Sequence, residues 1–176
     1  MGRIESLALD FCNGVYDHTV KDEVWPKVFR YLLENSSALS FSRDRIHTLW
    51  TVNGGHLRRK VSDDDLTVSV LTTFLPKYEG EGLTLYRGEC KFLFDDNKIG
   101  FCWTPVEEVA RMFASGLNSN ESGGVLLKAY APSRAIISSP NDHSVNQMEE
   151  HEYTCNPNLL EDLEVIKVFD KYPNRG

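Results

Sequence analysis

The chain is short of positive charge. Its 176 residues hold 19 lysines and arginines against 26 aspartates and glutamates, a formal charge of -7. A wide nucleic-acid footprint needs a basic surface to displace counterions from phosphates, so this balance argues against one. The only basic cluster is Arg58-Arg59-Lys60, and aspartates 63 to 65 follow almost at once. Cysteine is also sparse: Cys12, Cys90, Cys102 and Cys155 stand alone, with no Cys-x-x-Cys pair and no histidine at zinc-ligand spacing. That pattern argues against zinc, and no metal is expected. No apolar run approaches the roughly eighteen residues that span a bilayer. No charged-then-apolar leader opens the sequence, and the scattered cysteines fit reduced thiols. The expectation is a cytoplasmic protein, a class that includes effectors delivered into another cell by machines that read no such leader. Internal repeats and low-complexity tracts are missing as well.

What is present is an ordinary globular composition, 41% hydrophobic and 26% charged, which excludes disordered and collagen-like classes. The length suits one substantial core, so a single domain is expected. Residues 1–80 read as helical. Ile4, Leu7, Phe11, Cys12 and Val15 form one stripe at helical spacing over 4–15, and Val24, Trp25, Val28, Phe29, Leu32 and Leu33 form another over 22–34. Pro26 falls early enough in the second to sit in a first turn. Ser42 is a candidate N-cap for a third helix carrying Ile46, Leu49 and Trp50, which Asn53-Gly54-Gly55 is expected to stop. Ser62 with Asp65 resembles a capping box for a fourth helix carrying Leu66, Val70, Leu71, Phe74 and Leu75, before Pro76.

From residue 83 the texture changes to short apolar runs rich in β-branched and aromatic residues, separated by glycines. Strands are expected at 83–87, 100–104, 124–131, 134–138, 151–155 and 163–169, with one helix at 106–115. His18, His47, His56, His143 and His151 have no neighbour in sequence that singles them out, so ordinary structural or surface roles are expected. Asp95-Asp96 reads as a solvated turn, since no calcium-loop pattern follows.

Three pieces of this half carry candidate chemistry. Leu83-Thr84-Leu85-Tyr86-Arg87-Gly88-Glu89 sets an arginine at the end of an apolar strand with a glycine behind it. A guanidinium there can meet a phosphate or carboxylate bidentately, or it can be a surface arginine before a turn. Gly100-Phe101-Cys102-Trp103-Thr104-Pro105 ends a strand on an indole and a hydroxyl; these can build a small-ligand site, or Thr104 caps the next helix and Trp103 fills the core. Glu149-Glu150-His151-Glu152 on a strand would place Glu150 and Glu152 on one face. Paired carboxylates repel, which raises the pKa of one of them unless a ligand or cation intervenes. An acidic edge strand kept soluble by its glutamates is the other reading.

In this order the three pieces resemble the ADP-ribosyltransferase superfamily, in its arginine, serine-or-threonine, glutamate branch. Tyr86-Arg87-Gly88 is similar to that family's first-strand arginine. Phe101-Cys102-Trp103-Thr104 with Ala110-Arg111-Met112-Phe113-Ala114 resembles the second motif of bacterial and phage members that carry tryptophan-threonine for the serine triplet. Glu150-His151-Glu152, with Asn156-Pro157 after it, resembles the glutamate motif, and the run 124–132 resembles the strand between the last two motifs. The resemblance covers residues 83–170. It implies an α+β fold in which N-terminal helices precede a pair of mainly antiparallel sheets around an NAD cleft. It also implies mono-ADP-ribosyl transfer from NAD to a macromolecular acceptor, more often a protein. Arg87 would hold the NAD diphosphate, Gly88 would let the backbone approach the nicotinamide, Trp103 would wall the pocket and Thr104 would bond the ribose. Glu152 would stabilise positive charge on the ribose and Glu150 would handle the acceptor. A water acceptor would make the protein an NAD glycohydrolase, and an inactive member of the fold would be a binding protein.

Overall fold

The computed structural model describes residues 1–141, 144–145 and 150–171. His143 and Glu149 therefore lie outside the described residues. The fold is mixed α+β, and the chain forms two compact units, Met1–Lys77 and Tyr78–Gly176.

The first unit is helical: α1 (Arg3–Cys12), α2 (Trp25–Glu34), α3 (Arg43–Val61) and α4 (Asp64–Phe74). α2 packs on α1, α3 and α4, and the stripes read from the sequence become its core. Phe11, Phe29, Trp25, Ile46, Leu57, Leu71 and Phe74 are all buried. The Phe11 ring meets Phe29 edge-on at 5.6 Å and Phe74 at 6.5 Å, the arrangement that ring quadrupoles favour. Two local expectations are corrected. α3 does not stop at Asn53-Gly54-Gly55 but continues to Val61. The Trp50 indole lies so close over Gly54 that a Cβ there would have to displace it, so the glycine serves packing within the helix and not its end. The cap of α4 is Asp63, whose carboxylate accepts from the Leu66 N–H at 3.0 Å. Ser62 instead ends α3 in the left-handed region, at φ 51°.

The second unit holds two antiparallel three-stranded sheets. In the first, β3 (Gly124–Ala131) runs between β1 (Leu83–Cys90) and β6 (Glu161–Phe169). In the second, β5 (Tyr153–Cys155) runs between β2 (Cys102–Trp103) and β4 (Ile136–Ser138). A short helix α5 (Lys91–Asp95) follows β1, and α6 (Glu107–Ser115) lies on β1 and β3. A Cβ at Gly88 would overlap the backbone of Ala110 and Ala114, and one at Gly124 would overlap Ala114. These two glycines and two alanines let α6 rest directly on the sheet. The strand expected at 151–155 begins only at Tyr153, because His151 takes a left-handed φ of 49°. Side-chain alternation along a strand therefore does not relate Glu150 to Glu152, and their same-face pairing fails as argued. The Asp95-Asp96 turn is exposed, with Lys91 and Lys98 beside its carboxylates at 2.6 and 3.3 Å.

Candidate functional site

Among the described residues an isolated bridge joins the two sheets of the second unit. Tyr86 and Thr104 exchange backbone bonds of 2.7 and 2.9 Å, joining β1 to the end of β2. On the other side of β2, Cys102 faces Thr154 and Trp103 faces Tyr153 across β5. Glu152 immediately precedes β5, and its carboxyl feels both Cys102 and Arg87. Arg87, Cys102 and Glu152, far apart in sequence, thus come together where β1, β2 and β5 meet, with Thr104 at the end of β2 bridged to Tyr86.

Arg87 is held firmly. Its Nε donates to Glu89 Oε2 at 2.7 Å, and its Nη1 donates to the Cys102 carbonyl at 2.9 Å. Its side chain is 20% exposed while that of Glu89 is 1% exposed. Glu89 also accepts from the Gly100 N–H at 2.8 Å and the Cys90 N–H at 2.9 Å. Burial works against the charge of both partners, but their mutual attraction and these N–H groups outweigh it. The arginine is pushed further up and the Glu89 carboxyl down. The guanidinium lies against the α-carbon of Gly100, where a Cβ would overlap it. Nη2 has no hydrogen-bond partner among the described residues and is the guanidinium atom closest to where a Gly100 Cβ would stand, while Nη1 has a second N–H besides the one given to Cys102. Glu89 and Gly100 were not singled out from the sequence. The signal for Glu89 was there, since residues two apart on a strand share a face.

Glu152 sits half-buried at the entry to β5, with its backbone N–H bonded to the hydroxyl of the fully buried Ser144 at 2.8 Å. Its carboxyl is pushed up to about 7, first by burial and then by the charge of Glu150; a hydrogen bond from the Cys102 thiol and the charge of Arg87 pull the other way. Burial and the Glu152 carboxylate drive the Cys102 thiol well above its ordinary range, so it is a proton donor and not a nucleophile near neutrality. Glu150, half-buried, donates its backbone N–H to the Ser144 carbonyl at 3.0 Å and bears on Glu152 through its charge.

Thr104 is 6% exposed, and its hydroxyl accepts from the N–H of Val106, the N-cap residue of α6, at 3.1 Å. Among the described residues the hydroxyl proton has no acceptor. Trp103 is 1% exposed and donates its indole N–H to the Gly100 carbonyl at 3.0 Å. Its ring belongs to a core cluster with Leu85, Val125, Leu127 and Ile136, so it supports the junction from below by fixing the 100–104 turn. At Gly88 the space left by the missing side chain is taken by α6, and its carbonyl accepts from Asn118 Nδ2 at 2.7 Å. Among the described residues no group of three or more histidine, cysteine, aspartate or glutamate side chains could hold a metal ion.

Compared with known protein families, with curated proteins and with solved structures, the chain has no match. The functional reading rests on the geometry of this junction and on the motifs that compose it.

Proposed function

We propose that the second unit binds NAD and breaks its nicotinamide–ribose bond, transferring ADP-ribose to a protein acceptor. The observation that carries the reading is the placing of Arg87 and Glu152 on the same β2 residue: the guanidinium on the Cys102 carbonyl, the carboxyl on the Cys102 thiol. One group would offer its remaining guanidinium N–H groups to a phosphate, the other a negative charge to a developing cation, and the Thr104 hydroxyl lies at the end of β2 beside β1.

NAD supplies a scissile glycosidic bond whose cleavage leaves positive charge on the ribose. A carboxylate stabilises such charge best where water screens it little, and the half-buried Glu152 is partly withdrawn from water. The same burial costs the anion some of its stability, so Glu152 does its work mainly above pH 7. Arg87 is suited to a diphosphate because its planar guanidinium is already ordered by Glu89 and the Cys102 carbonyl and still has N–H donors in reserve. The Thr104 proton can go to a ribose oxygen. Glu150, close enough to act on Glu152 electrostatically, would take a proton from the incoming nucleophile.

Incubation with labelled NAD and a cell lysate tests the reading. Label on a protein band together with released nicotinamide supports transfer. Nicotinamide without labelled protein makes the protein an NAD glycohydrolase. Absence of both, with no calorimetric heat on adding NAD, leaves a binding module and ends the enzyme reading.

A further inference from the structure

We propose that Glu89 is a positioning residue of this site: it fixes the Arg87 guanidinium against Gly100 so that its remaining Nη N–H groups meet the ligand in one orientation. The inference rests on the NAD reading for its functional meaning, but its structural half stands alone. A buried carboxylate with three N–H donors around it is a built receptor. Oε2 takes Arg87 Nε at 2.7 Å and the Gly100 N–H at 2.8 Å, and Oε1 takes the Cys90 N–H at 2.9 Å. Two of these donors come from the ends of β1 and from the turn into β2, so the carboxylate ties the arginine to both backbones at once. An arginine merely needing neutralisation would be served by any nearby anion. The fixed reach from β1, the bond to Gly100 and the absence of a Cβ under the guanidinium all act on direction.

Direction and charge make opposite predictions for two conservative variants. Glu89→Asp keeps the charge and shortens the reach by one methylene. Glu89→Gln keeps the reach and one oxygen for Arg87 Nε and the Gly100 N–H, and loses the charge and the acceptor for the Cys90 N–H. Positioning predicts that Glu89→Asp is the more damaging, lowering kcat for NAD cleavage roughly tenfold to a hundredfold with a smaller change in KM. Glu89→Gln should keep more of the rate. Gly100→Ala leaves Glu89 untouched and pushes the guanidinium aside, so it should fall with Glu89→Asp. The reverse order, with Glu89→Asp near parental and Glu89→Gln crippled, would mean that only charge matters and would overturn the proposal.

A substrate-free readout separates this proposal from the reading it rests on. Exchange of the Arg87 Nε–H with water, followed by nitrogen-15 NMR, should be slow in the parental protein and in Glu89→Gln, and fast in Glu89→Asp. Equal exchange in all three overturns the positioning role even if NAD is cleaved. Slow exchange with no cleavage by the parental protein sinks the NAD reading and leaves Glu89 as the residue that holds Arg87.

Discussion

The two units bury different things. In Met1–Lys77 the core is almost wholly apolar, with Trp25, Trp50, Phe11, Phe29 and Phe74 fully buried and only His47 and Thr67 as buried polar residues. Its bidentate ion pair, Arg58 with Asp64 at 2.9 and 2.8 Å, lies at the surface with the aspartate 45% exposed. In Tyr78–Gly176 the buried set includes Glu89, Thr104, Ser119, Ser138, Ser144 and Thr154. Burying ionised groups is costly, and breaking such a pair leaves an uncompensated charge. The contrast shows that the second unit is where polar and charged groups are buried, and each prediction below breaks or sharpens it.

The largest effect is expected at Glu152. Glu152→Gln keeps the size and removes the negative charge, so NAD cleavage should fall on the order of a hundredfold to a thousandfold. Its stability effect has a definite sign. A carboxyl raised from 4.5 to about 7 holds its proton longer in the folded than in the unfolded protein. Its contribution to stability is full below about pH 4.5 and is lost as pH rises through 7. Melting temperatures of the parental protein and Glu152→Gln should therefore separate in favour of the variant above pH 7. A variant that is slower but less stable at pH 8 would make Glu152 a structural residue.

In the helical unit the large effects should be on stability. Trp50→Ala removes a side chain only 2% exposed and should cost about 3–5 kcal/mol in urea unfolding. A loss below about 1 kcal/mol would contradict the packing of Trp50 over Gly54.

Arg87→Lys should weaken NAD binding by roughly tenfold in calorimetry, because a compact ammonium cannot reproduce the planar fork that spreads donors towards Glu89, the Cys102 carbonyl and a ligand. Unchanged affinity would remove Arg87 from the ligand. The smallest expected effect is at Asp63, where Asp63→Ala removes the cap of α4 and should lower stability by about 1 kcal/mol with no change in NAD cleavage.

The same contrast explains what could be read from the sequence. Helical stripes such as Val28, Phe29 and Leu32 are set by local spacing, so the helices were legible, while the course of α3 through Gly54 depended on a tryptophan one turn earlier. β1 and β3 were legible from their runs of apolar and β-branched residues. α5 carries no capping side chain and had no signal. Arg87, Thr104 and Glu152 could be named as residues, but the Tyr86–Thr104 bridge that joins them is a long-range pairing that no local pattern encodes. Gly88 and Gly100 show the limit of reading one glycine at a time. Both remove a side chain, yet one makes room for a helix and the other for a guanidinium.

The most direct test is nicotinamide release from NAD measured as a function of pH. Ionisation of Glu152 near 7 predicts that kcat/KM rises through neutrality and levels off above it, and that the rise disappears in Glu152→Gln. Release that is independent of pH between about 5 and 9, or equal in the variant, would contradict a catalytic carboxylate at the β1, β2 and β5 junction.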